Sequence, residues 1–290
     1  MTRLPQAAPP TAHPTPPRAP VPEGACDAHV HMVADDMPLW DGRVEDPAPG
    51  TLAQWTARLE THLDALDMAR VVIVHSILHG GDNRVTTAAV AALGDRARGI
   101  GLVRDGASDA ELAALAQAGV VGVRLNYVHG GILSWAGVRE MAPRLAAHGM
   151  HVQMLMNAHR HMAELAADVR TLPVPVVFDH IGWPDLAAGP DEPGFAALRA
   201  LVADGAAHVK LSAPYRLCDA PYDRAAEAIA ALVAANPDRC LWGSDWPHLM
   251  LAEAQPPDAG ALLNAFFDAV PSEDARRRIL VDTPAALYGF

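Results

Sequence analysis

The chain has 290 residues, 51% hydrophobic and 19% charged, long enough to bury a sizeable core and too apolar to stay disordered. Thirty-four acidic against 22 basic residues give a formal net charge of -12, which speaks against nucleic acid as a partner. The three cysteines, Cys26, Cys218 and Cys240, lack CxxC spacing and so exclude a disulfide scaffold or a zinc–thiolate site, and no apolar run reaches the ~18 residues of a membrane span.

In chain order, residues 1–23 come first. Eight prolines in the first 22 positions and no continuous apolar stretch read as a disordered leader rather than a secretory signal. Residues 24–290 are then one domain, with a cytoplasmic location as the default. From there short β-branched runs alternate with alanine- and leucine-rich periodic stretches. Strands are expected at Cys26–Met32, Arg70–His75, Gly99–Val103, Gly119–Leu125, His151–Met156, Pro175–His180, His208–Ser212 and Cys240–Asp245. Between and after them, helices are expected at Leu52–Asp67, Thr86–Leu93, Asp109–Ala118, Ser134–His148, Arg160–Val169, Glu192–Ala203, Tyr222–Ala235, Asp258–Ala269 and Ser272–Val281. In the first of these Leu52, Trp55, Leu59, Leu63 and Leu66 recur at three- or four-residue spacing, the signature of a half-buried helix. Ser108 with Glu111 forms a capping box.

Eight strand–helix units predict an α/β fold, a (β/α)8 TIM barrel. A doubly wound open sheet shares the rhythm, but it usually has fewer strands, and no glycine-rich phosphate loop follows any strand here. A barrel places its chemistry at the C-terminal strand ends, and polar residues collect there. The first strand ends in His29 and His31, which share a face because they lie two apart. The others offer His75, Arg124 with Tyr127, His180, Lys210 (the only lysine), and Asp245 with His248, while Arg216 follows in a loop. Asp245 closes an apolar strand, a costly place for an unpartnered carboxylate. A lone histidine such as His75, His151 or His208 is more often a satisfied core residue than a ligand. Arg124 suits a substrate carboxylate.

The segments CDAHVHM (26–32), GVRLNYV (122–128), VVFDHIG (176–182), KLSAPYR (210–216) and LWGSDWPH (241–248) resemble the amidohydrolase superfamily. The branch they resemble is the amidohydrolase-related one, which includes hydrolases of 2-pyrone-4,6-dicarboxylate and enzymes of sugar-acid lactones. The resemblance implies His29, His31, His180 and Asp245 as the catalytic floor and Arg124 as the carboxylate anchor; from their places at or after strand ends, Tyr127, Arg216, His248 and His75 are candidates for further substrate contacts. It implies a hydrolase that opens a small anionic lactone through water activated by Asp245, the imidazoles donating to the developing oxyanion. The closed barrel mouth should raise the pKa of Asp245. A metal-dependent decarboxylase, a lactone isomerase and a non-catalytic binding barrel are the alternatives. In place of the arginine that the dicarboxylate hydrolases carry after strand four, this chain reads His129-Gly130-Gly131. The strand-four lysine of binuclear members is missing too. The resemblance therefore favours no cofactor; the alternative is one zinc or manganese on His29, His31 and Asp245, with His180 near.

Overall fold

A computed structural model describes residues 4–251 and 254–290. Eight strands form one sheet in sequential order, each paired in parallel with the next: β1 (Cys26–Val30), β2 (Arg70–Val74), β3 (Ala97–Gly101), β4 (Val120–Asn126), β5 (His151–Leu155), β6 (Val176–Phe178), β7 (His208–Ser212) and β8 (Cys240–Gly243). The last strand returns to the first through His31 N–H to the Trp246 carbonyl (2.7 Å) and Asp245 N–H to the His29 carbonyl (2.9 Å). That return closes the sheet into a barrel. Gly243 permits it: a Cβ there would stand 2.5 Å from the Cβ of His29.

Around the strands run α1 (Leu52–Ala65), α2 (Arg84–Leu93), α3 (Asp109–Gln117), α4 (Trp135–Ala147), α5 (Ala158–Thr171), α6 (Pro193–Ala203), α7 (Asp223–Ala235) and α8 (Ala259–Ala269). The capping box forms as expected, with Glu111 N–H on Ser108 Oγ (3.2 Å) and Ser108 N–H on Glu111 Oε2 (2.8 Å). The helix expected over Ser272–Val281 is interrupted: α9 (Glu273–Arg277) passes through a wide turn at Arg278–Asp282 into α10 (Thr283–Tyr288). This last helix brings Tyr288 into the barrel interior beside Cys26, Ala28, Val72 and Leu241. Several expected strands run one or two residues too far, because the chain leaves the sheet where its polar residues begin.

The leader does not stand apart as expected. Ala7 N–H bonds the Asp46 carbonyl (2.8 Å), Thr15 N–H bonds Asp258 Oδ1 (3.0 Å) and Arg18 N–H bonds Asn264 Oδ1 (2.7 Å). A side chain at Gly260 would collide with the Thr15 carbonyl, so α8 is shaped to receive the segment. Prolines limit the freedom lost on docking, which composition alone does not reveal. Residues 1–3 of that leader lie outside the described residues.

His151 is buried with its ring 5.4 Å from Tyr288, and burial lowers its pKa to about 3; burial, assisted by Arg239, lowers that of His208 to about 4. Both are neutral when folded, whereas an exposed imidazole titrates near pH 6.5. Below that pH the unfolded chain binds the extra protons. Stability should therefore be complete above pH ~6.5 and fall on acidification toward pH 4, by up to ~1.4 kcal/mol per pH unit for each ring. Urea unfolding at pH 7 and pH 5 measures this, and His151→Gln should flatten the dependence; an unaltered dependence in that variant would show that the ring does not contribute.

Candidate active site

At the C-terminal mouth, four side chains from three places in the barrel meet. Asp245 Oδ1 lies 3.6 Å from His29 Nε2, 3.5 Å from His31 Nε2 and 4.0 Å from His180 Nε2. Two of the four sit on strained backbone, with positive φ at His180 (54°) and Asp245 (63°). Non-glycine residues rarely hold that conformation without surrounding structure to enforce it. Here the enforcement is the turn after β6 and the closure of β8 onto β1.

Each imidazole is oriented through its far nitrogen. His31 Nδ1 donates to the Val74 carbonyl (2.8 Å), His180 Nδ1 meets Ser212 Oγ (2.9 Å), and His29 Nδ1 faces Asp179 Oδ1 (3.3 Å). A carbonyl can only accept, so His31 carries a proton on Nδ1. His29 Nδ1 lies between the Asp179 carboxylate and the Lys210 ammonium, the latter 3.4 Å away. Burial, reinforced by Lys210, holds the pKa of His29 well below the ordinary range, and burial lowers that of His180 to about 4.

The two oxygens of Asp245 differ. Oδ2 accepts from Tyr215 Oη (2.5 Å) and Arg216 Nε (3.0 Å). Oδ1 is buried and has no hydrogen-bond partner. Burial alone would raise this carboxyl, but the Arg216 guanidinium leads the groups that outweigh it and hold the pKa well below the usual range. The expected upward shift is thus reversed, because the barrel mouth contributes the Arg216 cation as well as desolvation.

His29, His180 and Asp245 each present a ligand atom, all within 4.8 Å of one another, with all three residues buried. Neutral imidazole nitrogens beside an orphaned carboxylate oxygen are the donor set of a divalent cation such as zinc. This arrangement overturns the expectation of no cofactor, and it makes His180 a full member of the set while His31 stands alongside. Beneath it, Lys210 Nζ donates to Gln153 Oε1 (2.6 Å) and the Ala28 carbonyl (2.8 Å) and lies 4.0 Å from Asp179 Oδ1. The buried ammonium offsets the Asp179 charge that orients His29.

Above the floor is a cavity of about 290 Å³, lined in part by His31, Arg124, His180, Arg216 and Asp245. Arg124 Nη1 donates to the His75 carbonyl (2.6 Å), and no carboxylate pairs with it among the described residues. His75 itself is turned away, its Nδ1 on Thr86 Oγ1 (3.1 Å) and Nε2 on the Gly80 carbonyl (2.7 Å). Tyr127 gives its hydroxyl to Glu164 Oε1 (2.7 Å). His248 is buried behind the floor, 5.4 Å from the Tyr215 ring. None of these three side chains lines the cavity. Sequence reasoning gave no role to Tyr215; its only signal was its place beside Arg216 after a strand end.

The family model described as Amidohydrolase matches residues 26–290. The chain belongs to the amidohydrolase family. It is a hydrolase of that superfamily, built on the barrel described above. It is 34% identical to the 2-pyrone-4,6-dicarboxylate hydrolase of Comamonas testosteroni, over 96% of this chain and 94% of that one. It is 33% identical to the 4-sulfomuconolactone hydrolase of Rhizobium radiobacter, over 93% and 91%. A solved structure of a protein from Agrobacterium tumefaciens superposes with a TM-score of 0.84 at 26% identity, covering 97% of this chain and 99% of the other. No described helix of this amidohydrolase is long and apolar enough to cross a membrane.

Proposed function

We propose that this amidohydrolase opens the ring of a small anionic lactone by metal-assisted hydrolysis, with one divalent cation on His29, His180 and Asp245. The observation that carries the reading is Asp245 Oδ1, buried without a hydrogen-bond partner and faced by three imidazole nitrogens. The two curated relatives named above support the lactone, since each is named for hydrolysis of an anionic cyclic ester.

A cation bound there would polarise the lactone carbonyl and lower the pKa of a water molecule. Asp245 takes the proton of the attacking water and returns it to the ring oxygen as the C–O bond breaks. Its depressed pKa makes it a poor sole activator of water, which is why unaided aspartate chemistry fits this site less well. Tyr215 and Arg216 occupy Oδ2 and so keep Oδ1 aimed at the cavity. Arg124 holds the substrate carboxylate and sets the carbonyl over the floor. Asp179, His31 and Ser212 keep the ring orientations through the contacts already described.

Dialysis against a chelator should remove a single equivalent of metal per chain and lower kcat by ~100-fold or more, with zinc or manganese restoring it. Full turnover by demonstrably metal-free protein would sink the cation. Incorporation of heavy oxygen from water into the product carboxylate separates hydrolysis from migration of the ester, the isomerase alternative. Release of carbon dioxide instead would identify a decarboxylase.

A further inference from the structure

The cavity has two unlike sides. Arg124 and Arg216 both reach it, yet only one of these charges is free. Arg216 is bound to Asp245 Oδ2 and, through Nη2, to the Leu249 carbonyl (2.9 Å), with buried Glu45 within its electrostatic reach. Arg124 spends one N–H on a backbone carbonyl and has no carboxylate partner among the described residues. The remaining wall includes Leu102, Ile132, Leu133, Leu155 and Leu249. Ser76, Asn126 and the partly solvent-facing His129 also line it, and the loop His129-Gly130-Gly131 brings no lysine or arginine.

The rim continues that apolar side. The exposed large hydrophobic side chains among the described residues are Trp40, Val44, Ile132 and Met250. Ile132 and Met250 line the cavity. Trp40 covers Gly80, next to the Gly81 that Ile132 overlies. Val44 precedes Glu45, which accepts from Met250 N–H (2.6 Å). Ile132 and Met250, with Trp40 against the neighbouring Gly80, therefore place side chains disfavoured in water at this mouth.

We infer that the substrate is a monoanion: a lactone with one carboxylate, seated on Arg124, and an apolar substituent against Ile132, Leu133 and Leu155. The inference rests on the lactone-hydrolase reading above and narrows it. A second carboxylate against that wall would lose its water and find no cationic side chain, whereas an alkyl group gains by the same burial. A cavity of about 290 Å³ accommodates one ring with short substituents.

The test compares 2-pyrone-4,6-dicarboxylate with the two 2-pyrones in which a methyl group replaces one carboxylate. Turnover is measured on the holoenzyme, and binding by calorimetry on chelator-stripped protein, in which Asp245 still holds Arg216. One methyl compound should exceed the dicarboxylate at least tenfold in kcat/KM and in affinity. Ile132→Arg, at the exposed rim, should shift both ratios toward the dicarboxylate by at least tenfold. Equal or better handling of the dicarboxylate by the unmodified wall, no shift in the variant, or no binding of either methyl compound overturns the monoanion. Turnover of none of the three overturns the lactonase reading instead, while the calorimetric ratio still decides the charge count.

Discussion

Asp245→Asn should lower kcat for lactone opening by about a thousandfold or more, within the range for losing a positioned base. Asparagine keeps the volume and can still accept from Tyr215, so the loss is one of charge and proton affinity rather than of shape. The same change removes the negative ligand from the His29–His180–Asp245 set, and bound metal should fall well below the level of the unmodified chain. Tyr215 and Arg216 lose the anion that collects them, so the variant must be checked for a native circular-dichroism spectrum. Single-turnover kinetics with metal content measured on the same sample decide the matter. Turnover within tenfold of the unmodified enzyme would remove Asp245 from the proton-transfer role, whatever the metal content.

The second large effect belongs to Arg124. Its guanidinium reaches the cavity with one internal hydrogen bond and no carboxylate partner among the described residues. Desolvation of that charge depresses the Arg124 pKa. A substrate carboxylate is the missing counter-charge, and truncating one member of such a desolvated pair costs about 2–5 kcal/mol. Arg124→Met should therefore lower kcat/KM for a carboxylated lactone by ~30-fold or more. An uncharged lactone should be affected far less, and metal content not at all. Stability should hold or rise, because methionine replaces an unpaired charge by an apolar chain of similar length. Equal losses on charged and uncharged lactones would assign Arg124 to the barrel rather than to recognition.

The residues of the floor were legible before any coordinates. His29 and His31 share a strand face by parity, Asp245 ends an apolar strand where a carboxylate needs a reason, and the eight-unit rhythm brings strand ends to one mouth. Less legible was what those residues experience. The Asp245 carboxyl was expected to be raised by enclosure, and it is lowered, chiefly because the Arg216 guanidinium lies against it. His75 sits at a strand end like His180, yet its ring turns outward to Thr86 and Gly80. Tyr127 follows Arg124 by three residues and is drawn to Glu164 on α5.

The local pattern of this chain thus determined the alternation of strands and helices, the caps, the order of the barrel and the identity of the polar residues at its mouth. These follow from periodicity and from the cost of polar groups on apolar strands, both properties of near neighbours in sequence. Only the closed barrel decided which nitrogen of each histidine faces the cavity, that Asp245 Oδ1 is left free for a cation, that the leader lies against α8, and that one arginine remains unpaired opposite an apolar wall. Those depend on partners as distant as His29 and Asp245, and electrostatics and hydrogen bonding act through space, so tautomer, charge state and metal affinity follow contacts that no local pattern encodes.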